Sequence, residues 1–224
     1  MKLVDKTKYF YPNLSSLMVG DYFFRSFDVD SIDLDVILFQ TGYLTIGKVI
    51  ESPLHGYHYI LKFPNKEIKI SFSNYIISNL IDRNRTIPQK IQTELYDSLT
   101  KIDLNTFKNI IFSIFTSIQC DRDGEMENNH GFYATVLYLY IQSLGIDITG
   151  EDTMSKKRID ITVKFPNVIY IMEIKETDEE PLARIKHKKY YNEYTNEGKD
   201  IYLVSISFDN TQKNLKDFIW EKVG

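Results

Sequence analysis

Two carboxylates and an amine in one β-rich stretch carry the most chemistry in this chain: Asp160, Glu173 and Lys175, within KRIDITVKFPNVIYIMEIKE at 157–176. The runs Arg158–Lys164 and Val168–Lys175 are rich in β-branched residues and are parted by Phe-Pro-Asn, a hairpin signal. Side chains alternate along a strand. Arg158, Asp160 and Thr162 therefore share one side of the first run, and Ile169, Ile171, Glu173 and Lys175 one side of the second. A loop from Phe165 to Val168 pairs Lys164 with Ile169, Thr162 with Ile171, Asp160 with Glu173, and Arg158 with Lys175. Directly opposed residues have Cβ atoms about 5 Å apart. Two carboxylates at that spacing repel unless a cation lies between them, and a hard divalent ion such as Mg²⁺, taking oxygen ligands, suits them. Lys175, on the same face, would hold an attacking water or offset charge developing on a phosphorane-like transition state.

A plainer reading makes this a solvated face with diagonal ion pairs, Arg158 to Glu173 and Asp160 to Lys175. Against it, the second run is apolar up to Met172, so Glu173 and Lys175 arrive at the end of a buried strand rather than on a wet edge.

The elements around the hairpin must position it. With 224 residues, 43% hydrophobic and 26% charged, the chain has the length and composition to bury a core in one large domain or two small ones. Its net charge of −4 argues against a bulk electrostatic binder of nucleic acid, though a metal and a local basic patch can serve an acidic protein. The single cysteine, Cys120, excludes an internal disulfide and a multi-cysteine metal site, and reads as a small buried hydrophobe. No apolar stretch reaches the roughly 18 residues of a membrane span, and MKLVDKTKYFYPN has no signal-peptide core, so a cytoplasmic location is expected.

Residues 1 to about 30 give few signals beyond short candidate helices. A short helix is expected from Ser31, ending near Thr41-Gly42, then a hairpin of LTIGKVI and YHYILKF, with His55 and His58 as turn residues. Helical periodicity follows at about 70–82, 88–100 and 103–118; the last carries the stripe Leu104, Phe107, Ile110, Ile111, Ile114, Phe115 and Ile118. DRNRT at 82–86 reads as a joint, and DRDGEMENN at 121–129 as a polar loop. HGFYATVLYLYIQSLG, apolar nearly all round and closed by Gly145, reads as a buried helix. A strand near 146–149, the hairpin, a helix at about 180–197 closed by Gly198, a strand at 200–208 and a final helix at about 212–221 complete the series. The expected domains are a small mixed module at 1–85, a helical connector at 86–120 and a third unit at 121–224.

Asp160 followed by Glu173-Ile174-Lys175 resembles the D…(D/E)-x-K signature of the PD-(D/E)XK nuclease superfamily. Together with FTSIQCD (115–121), the run 130–145, PLARIKHKKYYNEY (181–194) and IYLVSISFD (201–209), it is similar to the domain of that superfamily that follows an AAA-ATPase-like domain in bacterial and archaeal proteins. GYLTI (42–46) and FPNKEIKISF (63–72) resemble the joining segment. Nothing matches G-x-x-x-x-G-K-[ST], so neither the ATPase half nor a nucleoside triphosphate is expected.

The resemblance implies an α/β (α+β) restriction-endonuclease-like core of order αβββαβ with a mixed central sheet. It also implies a metal-dependent nuclease, with Mg²⁺ or Mn²⁺ held by Asp160, Glu173 and the Ile174 carbonyl, and Lys175 assisting the water. Related domains often begin the first core helix with a metal-facing Glu. His130 stands there in this chain, with Glu127 one turn earlier, and both are further metal candidates. Arg184, Lys188 and Tyr191 at i, i+4, i+7, with Arg158, are candidate contacts to a nucleic-acid backbone, DNA before RNA. A homodimer would accord with two-strand cutting, and no membrane partner is expected. The competing reading is an inactive nuclease-like module that binds nucleic acid or a protein.

Overall fold

A computed structural model describes residues 14, 17–24, 33–54, 56–81, 89–119, 132–153, 158–175, 190–209 and 214–223, with backbone alone at 80–81, 119, 151–153, 158–160, 175 and 190. They fall into two compact units, Met1–Phe72 and Ser73–Gly224. The expected joint at 82–86, the loop at 121–129, Cys120 and His55 lie outside the described residues.

In the first unit, β1 (Met18–Gly20), β2 (Thr45–Ser52) and β3 (Gly56–Lys62) form an antiparallel sheet in the order β1-β3-β2. The expected hairpin is present, but His58 lies on β3 opposite Ile50 and not in the turn. β1 escaped the sequence reading because three residues are too few to display a period. Gly47 sits at the register shift between Ile46 and Lys48, and a Cβ there would come within 2.9 Å of the Lys62 side chain. A larger residue at the bulge would have to displace the Lys62 side chain. The expected short helix is α1 (Leu34–Gln40), which buries Leu34, Val36 and Leu38 and ends at Thr41, with Gly42 left-handed at φ 80°.

α2 (Lys66–Ile81) carries the chain across the division, its first turn capped by Asn65 Oδ1 accepting from Ile68 N at 2.8 Å. The second unit contains α3 (Gln89–Thr100), α4 (Leu104–Gln119), α5 (Phe132–Ser143) and five strands. These are β4 (Asp147–Thr153), β5 (Arg158–Lys164), β6 (Val168–Lys175), β7 (Asp200–Asp209) and β8 (Asn214–Val223), lying side by side in that order. All neighbours are antiparallel except β6 and β7, so the sheet is mixed, in keeping with the αβββαβ expectation.

One face of this sheet packs on helices. Tyr170 donates its hydroxyl to the Leu99 carbonyl at 2.6 Å, Tyr133 stacks on Phe208 at 4.3 Å, and Phe107 meets Phe218 edge-on at 6.0 Å. α5 is buried from Tyr133 to Ser143, as an all-apolar helix requires. Its polar end is held by Ser73 donating to Gln142 Oε1 at 2.7 Å and Gln142 Nε2 donating to Tyr138 at 3.1 Å. Buried amides and hydroxyls satisfied in this way fix how the helix lies.

Two of the expected helices are other structures over their described residues. Over the described residues of the helix expected at 212–221, the chain is strand β8, paired along β7. Its apolar residues fit either period. Without β8, the ten residues of β7 would expose one edge of unpaired backbone groups, and completing the ladder outweighs local helix propensity. The expected helix at 180–197 is, over its described part, two 3₁₀ turns, Tyr190–Glu193 and Thr195–Glu197, closed by left-handed Gly198 at φ 66°. Residues 176–189 lie outside the described residues.

Candidate active site

The hairpin folds in the expected register. Phe165 N donates to the Val168 carbonyl at 2.8 Å, closing the loop, and the β5–β6 ladder pairs Arg158 with Lys175, Asp160 with Glu173, Thr162 with Ile171 and Lys164 with Ile169.

The pairing extends across the sheet. Asp160 faces Glu151 on β4, Glu173 faces Ser205 on β7, and Ser205 faces Ile219 on β8. Opposed residues share a sheet face, so Glu151, Asp160, Glu173 and Ser205 form one row on the face opposite the helices. A second row holds Thr153, Arg158, Lys175, Ser207 and Asp217.

That face divides along the strands. Toward the N-terminal ends of β6 and β7, Ile169, Ile171, Ile201 and Leu203 form an apolar cluster covered by Tyr191, Tyr194 and Val223. Lys164 anchors the covering segment, with Nζ 3.0 Å from Glu197 Oε1 and 4.4 Å from the Tyr194 ring centre. The Glu197 carboxylate holds the Lys164 ammonium above its ordinary pKa. Toward the C-terminal ends the same face turns polar, beginning at Glu173 and Ser205. In open sheets with parallel neighbours, ligands collect at the carboxyl ends of the strands.

Glu173 is 0% exposed, and Ser205 2%. Burying an ionised carboxylate costs several kcal/mol unless cations or donors compensate it, so a glutamate is an expensive choice at a central strand position. Ile174 alternates to the helix side, at 3% exposure, and pairs with Ile159 and Ile206. Tyr191, a candidate nucleic-acid contact, packs on the apolar cluster. The other candidates Glu127, His130, Arg184 and Lys188 lie outside the described residues. Among the described side chains no three of His, Cys, Asp or Glu gather into a metal-binding group; Asp160 and Glu151 are described by backbone only. Two carboxylates at directly opposed strand positions are hard oxygen donors, a set that fits Mg²⁺ or Mn²⁺.

Residues 126–218 match the model of the PD-(D/E)XK nuclease superfamily. This segment is a PD-(D/E)XK nuclease superfamily domain. It takes in α5, β4 to β7 and the first half of β8, and with them both rows of the polar face. PD-(D/E)XK nucleases typically use divalent metals. The chain is also similar, at 30% identity over 228 residues, to an uncharacterised protein in the vnfD 5′ region of Azotobacter chroococcum mcd 1. That alignment covers 99% of this chain and 44% of the relative, so the chain spans less than half of its relative's length. No solved structure matches.

Sequence reasoning missed Glu151 and Ser205. Glu151 lies in DITGEDT, whose weak alternation hid the length of β4, and Ser205 sits in a hydrophobic run that signals only a buried strand. Both acquire meaning from their long-range register partners. No helix among the described residues is long and apolar enough to cross a membrane.

Proposed function

We propose that the PD-(D/E)XK domain is a metal-dependent nuclease that hydrolyses phosphodiester bonds of nucleic acid, DNA before RNA. The observation that carries this reading is the placement of Asp160 directly opposite the wholly buried Glu173, with Lys175 two residues further along the same face. Asp160 and Glu173 would hold Mg²⁺ or Mn²⁺, with the Ile174 carbonyl, Glu127 and His130 as further donors. The metal supplies charge neutralisation at the phosphate and activation of water. Lys175 orients the attacking water and offsets developing negative charge. Arg158, at the opposed position on β5, adds a second cation on that side of the row, while Arg184, Lys188 and Tyr191 bind the nucleic-acid backbone. Residues 1–85 act as a separate module, with 86–120 connecting it to the nuclease.

The deciding experiment is cleavage of supercoiled plasmid and labelled single-stranded DNA with Mg²⁺, Mn²⁺ or EDTA, using the wild type and Lys175→Ala. Metal-dependent cutting that disappears in the variant supports the reading. The net charge of −4 favours a second one, a nuclease-like module that binds without cutting; DNA shifted in a gel by both proteins, with no cleavage, would select it.

A further inference from the structure

Ser205 is out of place in its strand. β7 reads DIYLVSISFD, and Val204 and Ile206, on either side of Ser205, are both 0% exposed. The two residues preceding Ser205 on its own face, Ile201 and Leu203, belong to the apolar cluster. A buried central-strand position of this kind ordinarily takes an aliphatic residue, because a hydroxyl out of water costs about 1–3 kcal/mol unless it is hydrogen-bonded. The serine appears where the face changes from apolar to polar, at the register position beside Glu173. Ser207, one step further along the face, is committed to β8: its Oγ accepts from Asp217 N at 3.2 Å.

A row of carboxylates offers only acceptors. Ser205 brings to that row a hydroxyl, which can donate to an anionic oxygen entering beside Glu173. We propose that Ser205 is a substrate-contacting residue of the phosphodiester site, donating a hydrogen bond to a nonbridging oxygen of the scissile phosphate. This rests on the nuclease reading above and adds a specific donor to it.

The test compares wild type with Ser205→Ala and Ser205→Cys, the second nearly preserving volume while weakening the donor. The probe is a labelled DNA oligonucleotide in Mn²⁺, with a normal diester or a phosphorothioate of either configuration at the cleaved position. The readouts are cleavage, affinity and melting temperature. Both variants are expected to melt at or above the wild-type temperature while kcat/KM falls roughly 10- to 100-fold, the worth of a hydrogen bond to a charged group. Sulfur at one nonbridging position should slow the wild type but add little in Ser205→Ala, because both changes remove the same contact. Variants that cut and bind like wild type would overturn the role of Ser205 and leave the nuclease reading standing. So would variants that lose activity only in proportion to a lowered melting temperature. If the wild type binds DNA without cutting it, hydrolysis falls, and the contact is judged by a roughly 10-fold loss of affinity in Ser205→Ala. A wild type that neither binds nor cuts overturns both.

Discussion

Asp160 and Glu173 are direct register partners on β5 and β6, and Glu173 has no solvent exposure. Carboxylates so placed raise each other's free energy, and a divalent cation between them reverses the sign of that interaction. The consequences below follow from this pair and from the sheet that holds it.

Asp160→Asn keeps the shape and removes the charge. It should abolish metal-dependent cleavage, by roughly 100-fold or more, while circular dichroism and melting temperature stay close to wild type. Glu151→Gln, on the far side of Asp160 in the same row, should reduce cleavage less. Full activity in Asp160→Asn would remove the pair from the site.

Metal binding can be read without any substrate. Mn²⁺ at a hundred times its dissociation constant should stabilise the wild type by about 2.7 kcal/mol, seen as a rise in melting temperature. Glu173→Gln should lose most of that rise. An equal shift in both proteins would place the ion elsewhere.

Tyr140 and Tyr170 make a contrasting pair. The Tyr170 hydroxyl donates to the Leu99 carbonyl, whereas that of Tyr140 is buried with no hydrogen-bond partner among the described residues. Tyr170→Phe should cost about 1 kcal/mol in denaturant unfolding, and Tyr140→Phe should be neutral or slightly stabilising. Burial pushes both phenols above their ordinary value of 10.0. A raised folded-state pKa means that the stability tied to the neutral form is fully present below about pH 10 and is lost as pH climbs toward the folded-state values. Alkaline titration of tyrosine absorbance should therefore show these two ionising only with unfolding.

Strand β8 can be distinguished from the helix that its sequence suggests by hydrogen exchange. In an edge strand, alternate amides point at β7 and the others at solvent, so protection across Asn214–Val223 should alternate, with a break near Lys216, where the register shifts. Continuous protection along the segment would restore the helix. β8 is also tied to α4, with Asn214 Nδ2 donating to Thr116 Oγ1 at 2.8 Å, so Asn214→Ala should weaken protection first at that end.

The hairpin register, the buried nature of α5 and the stripe of α4 were all legible in the sequence, because a turn, a period of two and a period of 3.6 are written within a few residues of one another. So was the pairing of Asp160 with Glu173 and of Arg158 with Lys175, which depends only on one short loop. Other features depended on partners distant in the chain. β8 is a strand because β7 needs an edge partner, and its own apolar spacing suits helix and strand alike. Ser205 and Glu151 became register partners of Glu173 and Asp160 only when β7 paired in parallel with β6 and β4 in antiparallel with β5. Short-range periodicity encodes an element and the face it buries. Which strand lies beside which is set by hydrogen bonding and burial between segments far apart in sequence, and only the tertiary structure could decide it.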